Sequence, residues 1–250
     1  MSFLPQLLKG KPDGYNIRVW VAGCSSGEEA YSLAIILQEC MAETKTHFNV
    51  QIFGTDIDEE AISIARAGLY PESILVDVSP ERLKHYFNKE DDGRYRVKKV
   101  IREMLVFAPQ NVIKDPPFTK LDILSCRNLL IYLGSELQQK LIPVFNYSLK
   151  RDGILFLGSS ESIGKAIDMF SVLDRKWKIF RRQHSSLTAS PTLDLSTLPD
   201  SFEAAEPGVT KNIRDLEQIS ALQMVETIQC SANGRNNPST WQHSGLCHYR

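Results

Sequence analysis

The segment at residues 17–34, IRVWVAGCSSGEEAYSLA, restricts the possible folds more than any other part of the sequence. Its first six residues are almost all apolar, which is typical of a parallel strand buried on both faces. A turn with two glycines follows, and from residue 28 apolar residues recur at helical spacing. A buried strand, a glycine turn and a helix in this order indicate the opening unit of an α/β fold.

Segments of strand and helix character alternate along the following part of the chain. We predict strands at residues 17–22, 50–55, 104–108, 121–125 and 154–158, helices at 28–41, 58–67 and 135–149, and a closing pair of strands at 170–173 and 177–181. Such alternation predicts the α/β class, with a mostly parallel sheet covered by helices on both faces.

Two parts of the sequence interrupt this alternation. Residues 69–103 stand where a crossover helix is expected. They contain a short helical piece, a polar turn and an alternating stretch at residues 80–87, 89–93 and 95–101. We interpret them as a small antiparallel β-insertion. From residue 187 the chain is polar and rich in Pro, Ser and Thr, so we expect one domain at residues 1–186 and a largely disordered or truncated tail at 187–250.

Charge and cysteine content exclude several classes of function. The formal net charge is −1, which argues against binding to nucleic acid or to anionic membranes. The five cysteines are scattered without a C-x-x-C pair, which argues against a zinc site and suits a reducing cytoplasm. No apolar run approaches the roughly 18 residues of a membrane-spanning helix. We therefore expect neither a bound metal nor membrane insertion.

The glycine turn at residues 23–27, GCSSG, fits the G-x-S-x-G pattern in which a serine hydrolase carries its nucleophile. In that fold several strands precede the nucleophile turn, and the histidine comes last. Here the turn follows the first predicted strand, and the late histidine, His184, lies beyond the last one. We predict that Ser25 is not a nucleophile.

The same turn is a place where an α/β fold holds a nucleotide cofactor. Asp56, at the end of the second strand, can accept hydrogen bonds from both hydroxyls of a ribose. Gly23 and Gly27 do not form the G-x-G-x-x-G pattern that suits a pyrophosphate, and the adjacent Glu28 and Glu29 would repel one. Two carboxylates suit a ligand with an ammonium group. S-adenosylmethionine has an ammonium, a sulfonium and a ribose, and no phosphate.

The three acids also have purely structural interpretations. Glu28 and Glu29 can serve as first-turn acids that stabilise a helix dipole. Asp56 can be the N-cap of the second helix. The sequence leaves both alternatives open.

Polar residues follow the third and fourth strands as well. Asn111 can reach an adenine edge, although Asn after a strand is ordinary turn chemistry. Asn128 and Tyr132 follow the fourth strand and are expected to face the same crevice as the glycine turn, because ligands lie beyond the carboxyl ends of parallel strands. Tyr132 can also be a half-buried helix aromatic, and Arg127 can pair with a nearby acid.

These motifs resemble the CheR family of chemotaxis receptor methyltransferases. The resemblance rests on RVWVAGCSSGEEAYSLA, GTDIDEEAISIARAGLY, FAPQNVI, LDILSCRNLLIYL and RDGILFLGSSESIG, which occur in the family's order and spacing over residues 18–182. It implies a Rossmann-like class I methyltransferase sheet and methyl transfer from S-adenosylmethionine to glutamate side chains on the cytoplasmic helices of receptors. The products are glutamate methyl esters and S-adenosylhomocysteine. The stretch FAPQNVIKDPPFTKLDILSCRN is most similar to the version found in fusions of CheB, CheR and PAS domains.

The resemblance also implies roles for the residues of the glycine turn and the second strand end. Gly23 and Gly27 would form the cofactor turn. Glu29 would contact the methionine end of the cofactor, and Asp56 would hold its ribose.

Further roles follow for the third and fourth strand ends. Asn111 and Val112 would flank the adenine. Asn128 and Leu129 would line the pocket, and Tyr132 would lie near the transferred methyl group as the catalytic residue.

The sequence departs from the family pattern in two respects. Family members carry an N-terminal helical domain and a T-x-F-x-R segment that completes the cofactor site, and residues 1–16 contain neither, so we expect weak cofactor binding and low activity. A non-catalytic cofactor-binding or scaffold module of a larger signalling protein, or a methyltransferase with another acceptor, is the alternative function. The loop at 89–93 has one glycine instead of the Gly-x-Gly pattern, which argues against binding of a receptor's C-terminal pentapeptide. The basic residues between 94 and 102 would attract acidic receptor helices or form a solvated strand face.

Overall fold

Two β-sheets organise residues 3–183, the part of the chain that the computed structural model describes. The strands are β1 (Asn16–Ala22), β2 (Asn49–Asp56), β3 (Leu69–Tyr70), β4 (Phe87–Lys89), β5 (Tyr95–Val97), β6 (Leu105–Pro109), β7 (Leu121–Cys126), β8 (Leu149–Leu157), β9 (Phe170–Asp174) and β10 (Ile179–Arg182). The helices are α1 (Phe3–Leu8), α2 (Glu28–Thr44), α3 (Glu59–Ala67), α4 (Pro80–Tyr86), α5 (Lys99–Arg102) and α6 (Ser135–Ser148), with 3-10 helices at Glu72–Val76, Leu130–Tyr132 and Ala166–Met169.

The larger sheet has seven strands in the order β6-β2-β1-β7-β8-β10-β9. The first five of these run parallel, and β10 pairs antiparallel with both β8 and β9. After β1 the chain adds β2 and β6 on one side of the sheet and then β7 and β8 on the other, so the strand order reverses at β1. Ligands of open α/β sheets bind beyond the carboxyl ends of the strands at such a switch point. The topology confirms the predicted Rossmann-like class I sheet with its antiparallel closing strand.

The hydrophobic core lies on both faces of this sheet. Along β1, Ile17, Val19 and Val21 belong to the cluster on the α2 face, whereas Trp20 and Ala22 belong to the opposite cluster with α6. This division follows from the two-residue period of a strand, whose successive side chains point to opposite faces. Because both faces are covered, central strands are apolar almost throughout, as the sequence predicted.

The smaller sheet confirms the β-insertion. It has the order β3-β5-β4, and all its pairings are antiparallel. Three basic residues of the insertion and its flank pair with acids close by: Arg94 with Asp92, Arg96 with Glu90 and Lys99 with Glu103. These pairs offset much of the positive charge of the stretch and favour the interpretation of a solvated face.

Two element boundaries differ from the prediction by four residues or more. The strand predicted at 154–158 was expected to follow the helix at 135–149 after a gap, but β8 already begins at Leu149, which pairs with Leu121 before a shift in register. The predicted strand at 95–101 ends at Val97, because Ile101 turns into the core as part of the short helix α5. In both places a contact with a distant segment, rather than the local pattern of polar and apolar residues, sets the backbone conformation.

The expectations on the tail, the cysteines and membrane spans can be followed only in part. The predicted tail at 187–250 and His184 lie outside the described residues. Within residues 3–183, Cys24, Cys40 and Cys126 are free and buried. None of the helices in this part of the chain is long and apolar enough to cross a membrane.

A buried carboxylate ties the first residues of the domain to the amino edge of the sheet. Asp122 of β7 is 1% exposed and accepts a backbone N–H from Arg18 at 3.0 Å and the hydroxyl of Tyr15 at 2.8 Å. Its oxygens also lie 2.8 Å from Lys150 Nζ and 3.2 Å from Lys11 Nζ. Burial by itself raises the pKa of Asp122, but these hydrogen bonds and the charge of Lys150 outweigh it and hold the pKa below its ordinary value.

We expect Asp122→Asn to lower the free energy of unfolding by about 2–4 kcal/mol, because the substitution leaves two ammonium groups without their shared carboxylate. Since the folded state lowers this pKa, the contribution of Asp122 is complete above about pH 4 and is lost as the pH falls through the lowered pKa. Denaturant unfolding of both proteins at several pH values measures this. A stability gap that stays constant from neutral to acidic pH would contradict the assignment.

Candidate cofactor site at the carboxyl edge of the sheet

The register of the parallel strands brings the loops of four strands to one edge. Ala22, the last residue of β1, lies opposite Thr55 of β2 and Cys126 of β7, and Asp56 lies opposite Pro109 of β6. Neighbouring strands are about 4.8 Å apart, so the loops that follow them meet. The ends of these strands and the segments that directly follow them contain every site residue predicted from the sequence: Gly23, Gly27, Glu29, Asp56, Asn111, Val112, Asn128, Leu129 and Tyr132.

The turn after β1 depends on left-handed backbone. Gly23, Ser25 and Gly27 have φ values of +74°, +46° and +92°. A Cβ atom on Gly27 would lie 2.9 Å from the Cβ of Ala65 and 3.1 Å from the ring of Phe107. Position 27 therefore requires glycine both for its backbone conformation and for the close approach of α3 and β6.

The carboxylate of Asp56 fastens this turn to the end of β2. Its Oδ2 accepts the backbone N–H of Ser25 at 2.8 Å, and its Oδ1 accepts the N–H of Asp58 at 3.0 Å. The N-cap of α3 is Asp58, whose side chain accepts the N–H groups of Glu60 and Ala61, so the N-cap interpretation of Asp56 is wrong. A carboxylate has about four lone-pair positions, which leaves Asp56 able to accept further donors.

Glu29 links the start of α2 to the end of β7. Its Oε1 accepts the hydroxyl of Ser125, and its Oε2 lies 3.5 Å from Nη1 of Arg127. The side chain of Glu29 is 18% exposed and that of Arg127 is 3% exposed, so the pair is largely withdrawn from water. The expectation that Arg127 pairs with an acid is confirmed, and Glu29 does more than stabilise the helix dipole.

Glu28 has different surroundings from its neighbour. Both of its oxygens accept the hydroxyl of Ser26, at 2.8 and 2.9 Å. Glu28 also lines a mainly apolar cleft of about 690 Å³, including its open mouth, between α2 and the β-insertion. Tyr70 of the insertion borders that cleft and donates its hydroxyl to the carbonyl of Ser26 at 2.8 Å, which joins the insertion to the glycine turn.

The loop after β6 places Asn111 and Val112 beside Asp56. The backbone N–H of Gln110 donates to the carbonyl of Asp56 at 2.8 Å. The Oδ1 of Asn111 accepts the N–H of Ile113 at 3.0 Å, so this side chain caps the loop, as turn chemistry predicts. Its Nδ2 group is a donor that this cap does not use, while Val112 packs on the core of the α6 face.

The loop after β7 covers the glycine turn. Asn128 has a φ of +56°, a left-handed conformation that Asn adopts more readily than most residues. A Cβ atom on Gly23 would lie 3.3 Å from the Cβ of Leu129, which places Leu129 directly over the turn. Tyr132 ends the 3-10 helix that follows, and 53% of it is exposed.

Three residues of this edge were missed by sequence reasoning. Ser125 and Glu161 are buried polar residues that accept or donate hydrogen bonds to the loop residues. Ile57 is 70% exposed although it directly follows Asp56. An apolar residue directly after an acid at a strand end is visible in the sequence, whereas the partners of Ser125 and Glu161 come from distant segments.

The donors and acceptors of this edge suit the chemistry expected for S-adenosylmethionine. Asp56 and Glu29 are carboxylates, which match the hydroxyls and the ammonium of the cofactor, and they would repel a pyrophosphate. Leu129 and Ile57 supply apolar surface beside them. No group of three or more His, Cys, Asp or Glu side chains within residues 3–183 is arranged to hold a metal ion.

Comparison with known proteins identifies a family model that matches most of the chain. The family model described as CheR methyltransferase, SAM binding domain, matches residues 2–179. The chemotaxis protein methyltransferase of Borreliella burgdorferi is 39% identical over 167 residues, which are 65% of this chain and 59% of that protein. Chemotaxis protein methyltransferase 1 of Pseudomonas aeruginosa is 35% identical over 177 residues, 68% of this chain and 63% of that protein.

A third relative is much longer. The uncharacterized 104.1 kDa protein in the hypE 3' region of Rhodobacter capsulatus is 38% identical over 168 residues, which are 67% of this chain and 18% of that protein. The chain thus spans less than two thirds of the length of each of these three relatives. The match of the family model over most of the chain shows that it belongs to the CheR methyltransferase family, as a SAM-binding domain.

Proposed function

We propose that this chain is the catalytic domain of a cytoplasmic protein-glutamate O-methyltransferase acting on the cytoplasmic helices of chemotaxis receptors. The reaction would convert a glutamate side chain and S-adenosylmethionine into a glutamate methyl ester and S-adenosylhomocysteine. One observation carries the proposal: in a chain of the CheR family, the glycine turn, Asp56, Glu29 and the loop at 127–132 converge at one strand edge.

We assign the cofactor contacts as follows. Asp56 accepts the ribose hydroxyls, because it already lies in front of the turn and retains free lone pairs. Glu29 accepts the amino group of the methionine end, and Arg127, whose guanidinium lies 3.5 Å from Glu29, would attract the carboxylate of the same end. Gly23 and Gly27 keep the turn open to the ligand.

The loops after β6 and β7 would contact the adenine and form the wall of the pocket. Asn111 offers a side-chain N–H to an adenine nitrogen and Val112 an apolar contact. Asn128 and Leu129 form the wall over the turn. Tyr132 is half exposed at the rim, where an acceptor side chain would approach.

The reaction requires little general acid or base catalysis from the protein. When bound, S-adenosylmethionine supplies a methyl group activated by its sulfonium. The acceptor carboxylate is ionised at neutral pH, so no side chain has to remove a proton from it. The residues of the edge therefore act by orienting the acceptor and excluding water, and the hydroxyl of Tyr132 would help to align it.

The ribose assignment predicts the behaviour of two neighbouring acids. We expect Asp56→Ala to weaken binding of S-adenosylhomocysteine by about 10- to 150-fold, because a hydrogen bond to a charged group contributes about 1.5–3 kcal/mol. The matched control is Asp58→Ala, which removes the cap of α3 and costs about 1 kcal/mol of stability but no affinity. Calorimetric titration and thermal unfolding measure both, and equal affinities for the two variants would refute the role of Asp56.

The acceptor assignment is tested with radiolabelled S-adenosylmethionine and a receptor cytoplasmic fragment. We expect a label that mild alkali releases as methanol, because a methyl ester is hydrolysed and an N-methyl group is not. Tyr132→Phe should lower the methylation rate at least about tenfold, or about 1.4 kcal/mol of barrier, with unchanged affinity for S-adenosylhomocysteine. A cofactor-binding protein that leaves the receptor unlabelled would support the scaffold alternative instead, and an alkali-stable label would support another acceptor.

The hydrolase interpretation of the glycine turn has its own test. Within residues 3–183 the histidines are His47, which precedes β2 at the opposite edge of the sheet, and His85 of α4, whose ring packs on Tyr86. The N–H of Ser25 is also bound to a carboxylate rather than available to an oxyanion. We expect a fluorophosphonate probe to leave Ser25 unmodified, as judged by peptide mass spectrometry with a serine esterase as the positive control.

A further inference from the structure

The loop after β8 carries a buried carboxylate that the proposed cofactor contacts do not include. Glu161 is 4% exposed. Its Oε2 accepts the N–H of Gly158 at 2.6 Å, and its Oε1 accepts the N–H of Leu130 at 2.8 Å. One side chain therefore connects the end of β8 to the loop after β7.

The surroundings of Glu161 show which form of the carboxyl group the loop requires. Burial raises the pKa of Glu161 above its ordinary value, and the backbone N–H groups of Gly158, Leu130, Asn128 and Ile131 limit this rise because they stabilise the charged form. Successive backbone N–H groups that point at one place form a site for an anion. A carboxylate accepts all of them, whereas an amide would place a donor against a donor.

The segment held in this way is the wall of the proposed cofactor pocket. It begins at Asn128 in left-handed backbone, continues over Gly23 with Leu129 and ends at Tyr132. A left-handed non-glycine residue costs free energy and persists only where its surroundings hold it. The N–H groups on either side of Leu129 are those that Glu161 accepts.

The end of β8 is fitted closely to the same segment. A Cβ atom on Gly158 would lie 2.8 Å from Oδ1 of Asn128 and 2.8 Å from Oε2 of Glu161. Real Cβ atoms do not approach other atoms so closely, so any larger residue at 158 must displace the Asn128 loop or the carboxylate. Gly158 and Glu161 are therefore both needed to hold the Asn128 loop in this position.

We propose that Glu161 is a positioning residue for the methyltransferase site: through the backbone of residues 128–131 it sets the wall of the cofactor pocket and the position of Tyr132. It touches neither cofactor nor acceptor and acts only through this loop. The inference rests on the proposed function, because the loop matters for affinity only if the cofactor binds against it.

The test compares two buried carboxylates in the same sheet. Glu161→Gln changes the acid at the carboxyl edge, and Asp122→Asn makes the same chemical change at the amino edge. Calorimetric titration with S-adenosylhomocysteine and denaturant unfolding are performed on the wild-type chain and on both variants. We expect both variants to lose stability, and only Glu161→Gln to bind at least about tenfold more weakly.

A spectroscopic measurement separates positioning from general destabilisation. In ¹H–¹⁵N spectra, Glu161→Gln should move the amide resonances of Leu130 and Gly158 upfield and speed their hydrogen exchange, because both lose a charged acceptor. Asp122→Asn should do so for Arg18 and leave those two amides unchanged.

A second variant serves if Glu161→Gln does not fold. Gly158→Ala keeps the carboxylate but pushes on Asn128, and it should weaken binding of S-adenosylhomocysteine to a similar extent. Affinity at the wild-type level in either folded variant would overturn the positioning role while leaving the proposed function intact. A wild-type chain that does not bind S-adenosylhomocysteine at all would contradict the proposed function, and this inference with it.

Discussion

The hydrogen bond from the backbone N–H of Ser25 to the carboxylate of Asp56 is the interaction on which the rest of the site depends. The two N–H groups before it, of Gly23 and Cys24, donate to the carbonyl of Thr55 at 2.8 and 2.9 Å. Three successive amides of the glycine turn are thus tied to the end of β2. Without Asp56 these residues would be tied to β2 only through the carbonyl of Thr55, so the acid shapes the turn of the proposed pocket as well as facing it.

Carboxylates recur in this role because loops at the ends of parallel strands leave backbone N–H groups without ladder partners. Asp56 accepts such groups after β1 and β2, Glu161 accepts them after β7 and β8, and Asp122 accepts one at the opposite edge. Glu29 differs, since it contacts the side chains of Ser125 and Arg127. That arrangement leaves a negative group whose contacts a charged ligand can exchange at little cost to the backbone.

The β-insertion is coupled to the same turn from the other side. Tyr70 donates to the carbonyl of Ser26, and the hydroxyl of Tyr31 on α2 donates to the carbonyl of Ala65 on α3. Movement of the insertion would therefore be transmitted to the glycine turn through the hydrogen bond between Tyr70 and Ser26. The insertion's own ion pairs, Arg94 with Asp92 and Arg96 with Glu90, offset part of the positive charge on its surface.

The sequence by itself determined the order of strands and helices, the β-insertion and the strand ends that carry Gly23, Asp56 and Asn128, because apolar periodicity and turn residues are local properties. Only the tertiary structure decided that Asp58 rather than Asp56 caps α3, that β8 begins at Leu149, and that Glu161 reaches back 31 residues to Leu130. The cap depends on which of two nearby acids faces the helix, and the other two depend on pairing between segments far apart in the chain. A local pattern contains no information on such partners, and the register of a parallel sheet is what brings them together.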